Sequence, residues 1–173
     1  MLMSVATQNV VWYAARTRHG QEVGVKNRLN DLGVENFIPV RRQKTARGKA
    51  TDRPIINSLV FIKTNKTEAL ELANYQGLPV KYMVDCATKT LLVVPDKQME
   101  DFQRVLDESI DEGGLMDEPL SLGDKVRVTK GCLRGVEGYV LELLGRVYVV
   151  VSLCGCLYAK AQVPRAWLEK TDK

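Results

Sequence analysis

The chain has 173 residues, of which 45% are hydrophobic and 27% charged, and its net charge is +4. No apolar run approaches the ~20 residues that cross a bilayer, and the opening MLMSVATQNV lacks the basic-then-apolar order of a secretory signal. The expected setting is the cytoplasm with no membrane partner, and the length suits one medium domain or two small ones.

The four cysteines, Cys86, Cys132, Cys154 and Cys156, and the single histidine, His19, do not make the paired spacing of a zinc site. No metal and no cofactor is expected, and the cysteines read as reduced, small apolar residues. The charge is uneven. Residues 1–66 carry 12 Lys/Arg against 4 Asp/Glu, and residues 67–173 carry 13 against 17. A balance of +8 followed by one of −4 suits an N-terminal part that meets a polyanion.

In chain order, Val10–Arg16 is β-branched and aromatic and predicts a strand. Gln21–Leu32 predicts a helix, with Val25, Leu29 and Leu32 on its apolar side, Glu22 and Lys26 free to pair on the wet side, and Gly33 as the stop. Asn36–Val40 predicts a short strand that Pro39 confines to an edge or end. Arg41–Arg53 is basic, polar and glycine-centred, and predicts a mobile hairpin tip or loop. Ile55–Lys63 predicts a third strand. Asn65 is placed to cap a short helix, with Glu68 at the capping-box position. Val80–Asp85 and Thr90–Val94 predict strands. Pro95 opens a last helix whose stripe is Met99, Phe102, Leu106 and Ile110.

This order of strand, helix, strand, strand, helix and strand predicts a ferredoxin-like (split βαβ) domain of the α+β class over residues 8–112. The acidic, Gly- and Pro-bearing stretch 113–120 reads as a linker. Residues 121–173 lack a helical period. Lys125–Thr129, Gly138–Leu144, Arg146–Leu153, Leu157–Ala161 and Val163–Leu168 predict five short strands and a small SH3-like barrel. The density of β-branched residues in R-V-Y-V-V-V-S-L argues against helices there.

The most specific pattern runs from Gly123 as G-D-K-V-R-V-T-K-G-C-L-R-G-V-E-G-Y-V. Val126 and Val128 share one strand face, Gly131, Gly135 and Gly138 fall where a hairpin turns and strands cross, and Leu133 fills a large apolar position. With Gly123 and Asp124 this resembles the KOW motif. Residues 10–110 carry a second likeness, in Trp12-Tyr13, R-T-R-H-G-Q-E, G-V-E-N-F-I-P-V and R-P-I-I-N-S-L-V-F-I-K. The ordered pair resembles the NusG-type transcription elongation and antitermination factors. The Ser-Leu-Val-Phe and V-P-D-K-Q-M-E-D-F runs resemble the specialised UpxY-like antiterminators of capsular polysaccharide operons. Ile56-Asn57-Ser58-Leu59 departs from the aromatic-Pro-Gly-Tyr run common in the general factor.

The resemblance implies a monomeric factor that docks apolar residues on the clamp helices of the largest RNA polymerase subunit. Ile56 and Met83 are the matching anchors, with Arg16, Leu59 and Phe61 as neighbours. Arg18, His19 and Gln21 match positions that approach the non-template DNA strand, and Lys44, Arg47 and Lys49 on the basic loop are further nucleic-acid candidates. The KOW domain would meet Rho or a small-subunit ribosomal protein. A housekeeping elongation and termination factor, or a ribosomal-type RNA-binding KOW protein, are the competing readings. No nucleophile–base pair, metal cluster or phosphate cradle can be assembled, so an enzyme is not expected.

Overall fold

The computed structural model describes residues 9–108, 115–116, 122–155 and 157–171. Ile110, Asp111, Glu112 and Cys156, and the expected linker apart from Leu115 and Met116, lie outside the described residues. The chain forms mixed α/β structure and divides into two compact units, Met1–Pro95 and Asp96–Lys173.

In the first unit, β1 (Val11–Thr17) is the central strand of an antiparallel sheet. Around it lie β5 (Leu59–Thr64), β6 (Val80–Tyr82), the short β7 (Val93–Val94) and, beyond β5, β2 (Asn36–Phe37). Helices α1 (Glu22–Asp31) and α2 (Lys66–Asn74) supply Val25, Leu29, Ala69 and Leu72 to a core with Tyr13, Ala15, Val60, Ile62 and Tyr82. The helices thus cover the sheet face that carries the odd residues of β1 and the even residues of β5, as the two-residue strand period requires. Asn65 caps α2 through its side-chain oxygen, which accepts from the Glu68 N–H at 2.9 Å. The capping box is only half made, because the Glu68 carboxylate bonds the Thr64 hydroxyl instead.

One expectation is narrowed here and one changes. Of the two readings of 41–53, a hairpin tip or a loop, the structure has the hairpin, made of β3 (Val40–Lys44) and β4 (Ala50–Pro54) as a two-stranded sheet of its own. Strand β5 begins at Leu59, not Ile55, because residues 55–58 form a bend in which Ser58 takes φ 62°.

The second unit is a six-stranded antiparallel sheet with a helix. The strand order is β13 (Leu168–Lys170), β9 (Lys125–Val128), β10 (Glu137–Leu143), β11 (Arg146–Leu153), β12 (Leu157–Gln162) and β8 (Leu115–Met116). Helix α3 (Asp96–Glu108) packs along β11 and β12. Val149, Val150 and Val151 are therefore buried on both faces of β11, and the run is continuously apolar where a half-exposed strand would alternate. Part of the predicted Val163–Leu168 strand is a 3-10 turn, Arg165–Trp167, which follows Pro164.

Candidate docking face and cationic hairpin

The sheet face opposite the two helices collects most of the anticipated docking residues. Register sets Arg16 opposite Leu59 and Lys81, and Ala14 opposite Phe61. The N–H of Met83 donates to the carbonyl of Ala14 at 2.9 Å, which brings Met83 alongside. Leu59 and Phe61 are only 4% and 1% exposed, so both are core side chains and offer no contact surface here. Arg16 and Lys81 are exposed and Met83 is half-buried. Ile56, also half-buried, lies outside β5, so the pleat of that strand does not set its direction.

The bend that carries Ile56 is held from α1. Ser58 N–H donates to Glu22 Oε1 at 2.7 Å, and the Thr17 N–H donates to Ser58 O at 3.1 Å. Glu22 is 1% exposed and is not the wet-face partner of Lys26 that its spacing suggested. The reason is local. As the first residue of α1 it lies at a helix end whose N–H groups are unbonded and favour a carboxylate. Burial works to raise the Glu22 carboxyl. The backbone N–H groups of Ser58, Glu22 itself and Gly20, with the charge of His19, outweigh burial and hold it below its ordinary value.

Arg18, His19 and Gln21 are exposed on the turn before α1, which the Gln21 N–H closes onto Arg18 O at 3.0 Å. Gly20, Gln21, Gly24, Val25, Arg28 and Pro79 line an open groove of about 470 Å³ beside that turn. Arg28 is committed to the carbonyls of Gln76 and Gly77 at 2.7 and 3.1 Å, so it braces the groove wall.

Lys44, Arg47 and Lys49 are exposed on the β3–β4 hairpin. Its tip is a tight turn. The N–H of Thr45 donates to Lys49 O at 2.9 Å, Gly48 N–H donates to Thr45 O at 2.8 Å, and Lys49 N–H donates to the Thr45 hydroxyl at 3.2 Å. Gly48 takes φ 77° to close it.

In the second unit the KOW-like residues build the sheet. Val126, Val128 and Leu133 are buried, and Gly123 and Asp124 hydrogen-bond Val140 through backbone groups at 2.8 and 3.0 Å. Gly131 and Gly135 take φ 79° and 87° in the β9–β10 connection, and Gly138 lies buried in β10. Sequence reasoning missed what α3 does to this connection. Lys97 bonds Asp101 at 2.5 Å and donates to Gly135 O at 3.0 Å. Asp101 Oδ2 accepts from the Glu137 N–H at 3.2 Å, and Arg104 donates to the carbonyls of Cys132 and Arg134 at 2.7 and 2.9 Å. A bond to Glu108, aided by burial, raises the Cys132 thiol. Lys97, Asp101, Arg104 and Glu108 recur at helical spacing, so a second, polar stripe on α3 was the readable signal.

Among the described residues no three His, Cys, Asp or Glu side chains gather to hold a metal, and no helix is long and apolar enough to cross a membrane. The family model described as transcription termination factor NusG matches residues 10–103. No curated protein matches the chain. A solved structure, "Domain interaction in Thermotoga maritima NusG", is similar in fold with a TM-score of 0.51 and 19% identity, over 95% of this chain and 98% of that one. With more than half of its length matched, this chain belongs to the NusG family, whose members are transcription factors that bind RNA polymerase and are not enzymes.

Proposed function

We propose that the chain is an operon-specific antiterminator of the UpxY-like type. Its ferredoxin-like domain, residues 8–112, docks on the clamp helices of the largest polymerase subunit. By bridging the clamp it resists opening and raises processivity. Residues 113–120 link this domain to an SH3-like KOW barrel, 121–173, whose partner is Rho or a small-subunit ribosomal protein. The protein acts as a monomer in the cytoplasm, and Arg18, His19 and Gln21 face the non-template strand.

The observation that carries the docking assignment is the bend before β5. Ser58 holds φ 62°, a left-handed conformation that glycine adopts without strain, at the place where the general factor commonly has glycine. The turn geometry is supported from α1 by Glu22 although its sequence departs from the common run. Ile56 is presented on that turn, with Met83 and Arg16 on the neighbouring sheet face. An apolar anchor inside a cationic rim suits a helical tip with acidic flanks.

Capture by purified polymerase tests the assignment. Ile56→Asp is expected to weaken capture at least tenfold, because a carboxylate would have to enter an apolar contact. Unchanged capture by a folded variant would discard Ile56 as an anchor. Occupancy mapped across the genome is expected at a few operons, whereas occupancy of nearly all transcribed units would return the housekeeping role.

A further inference from the structure

We infer that the β3–β4 hairpin is a binding arm for the phosphate backbone of duplex DNA. The inference rests on the reading above only in placing the factor beside transcribed DNA, and its binding chemistry is separate from polymerase docking.

Charge distribution is the first observation. Residues 41–53 hold six cations, Arg41, Arg42, Lys44, Arg47, Lys49 and Arg53, and one acid, Asp52, a balance of +5. The whole chain, 25 cations against 21 acids, is +4. The other 160 residues therefore sum to −1, from 19 cations and 20 acids. The positive excess of the molecule resides on thirteen residues.

The second observation is that much of this charge stands without a carboxylate partner. The backbone register sets Arg41 opposite Arg53 and Arg42 opposite Asp52. Among the described residues Lys44, Arg47, Lys49 and Arg53 have no carboxylate partner. A two-stranded ribbon is marginal in water on its own. The hydrogen-bonded Thr45–Lys49 turn nevertheless keeps it formed, so the cations are displayed on an ordered element. Four exposed cations on an ordered element, without a carboxylate partner among the described residues, are complementary to an external polyanion.

The ligand class follows from what the hairpin lacks and from its width. There is no aromatic residue from Val40 to Pro54, so bases have nothing to stack on and a single strand gains only its phosphate contacts. Cations alone read the backbone without regard to sequence, and duplex DNA presents the densest line of phosphates, one charge per ~1.7 Å of axis. A two-stranded ribbon fits the ~12 Å major groove of B-form DNA, whereas the A-form groove of duplex RNA is too narrow for it.

The full-length chain is titrated against a fluorescent 25-base-pair DNA of mixed sequence over a range of salt concentrations. About five phosphate contacts predict a slope of log affinity on log salt near −4.5. The triple variant Lys44→Ala, Arg47→Ala, Lys49→Ala is expected to fall to a slope near −1.8 and to bind at least tenfold more weakly at low salt. Lys44→Arg with Lys49→Arg should keep wild-type binding. Equal binding by wild type and the triple variant would overturn the proposal. So would a loss on the triple variant that is greater for the same sequence as a single strand or as duplex RNA than for duplex DNA. Ile56→Asp should bind the duplex like wild type, and the triple variant should retain capture by polymerase free of nucleic acid. A failed duplex assay therefore leaves the docking result standing, and the reverse holds as well.

Discussion

Alanine at Gly138 is expected to destabilise the second unit by about 3 kcal/mol, the upper range for forcing volume into a packed interior. A methyl group there would fall inside the van der Waals radius of the Val150 carbonyl oxygen and meet Val150 C and Val149 Cγ2 at 3.0 and 3.1 Å. The oxygen belongs to the backbone of β11, which pairs with β10 through Tyr139 and Val150, so it cannot rotate away as a side chain could. β10 also pairs with β9 across Gly138 and Val126, and the glycine is where the strand serves both neighbours at once. Hydrogen exchange is the suitable measurement. Protection should fall across β9–β13 and persist in β1 and β5. The same substitution at Gly24 should act in the opposite sense. That residue is exposed within α1, a methyl group would meet nothing within 4 Å, and alanine is expected to gain about 0.5–1 kcal/mol. Equal effects at the two positions would refute the close crossing at Gly138.

That contrast shows what was legible in the sequence. The glycine spacing from Gly123 to Gly138 announced a sheet whose strands approach closely, because only a missing side chain permits that contact. In the first unit β1, α1, β5 and α2 were readable from hydrophobic period, and Asn65 from its capping position. Three features were not. The strands of the β3–β4 hairpin carry charge where strands usually carry apolar residues, so periodicity left a hairpin tip and a loop both open. Glu22 looked solvated because helical spacing offered Lys26, whereas a bend 36 residues away supplies its partner. The polar stripe of α3 was overlooked because the apolar stripe, Met99, Phe102 and Leu106, already explained the helix. Of the candidate docking residues, Phe61 and Leu59 have the parity of the sheet face opposite the helices, but that face is buried at Trp12, Ala14, Leu59 and Phe61, since parity assigns a face and not its exposure.

Glu22 yields the second large effect, and it is pH-dependent. Its carboxyl is held below the ordinary glutamate value near ~4.3 in the folded chain. On acidification the unfolded state therefore takes up the proton first, and stability falls. The contribution of the carboxylate is complete above about pH 5, declines as pH drops through 4, and is gone once pH is below the folded value. Glu22→Gln is expected to cost about 1.5–3 kcal/mol at neutral pH, the range for a hydrogen bond to a charged group. The penalty should shrink as pH falls from neutral through the folded value, below which the wild-type side chain is itself neutral. Glu22→Ala should remain worse than Glu22→Gln throughout, since it leaves the Ser58 N–H without an acceptor and the left-handed bend without support. Denaturant unfolding at neutral and at acidic pH separates these outcomes, and a penalty for Glu22→Gln that does not shrink on acidification would remove charge from the explanation. Because the bend presents Ile56, the glutamine variant should also weaken polymerase capture, by less than Ile56→Asp does, and the deficit should follow the loss of the bend rather than the loss of the anchor.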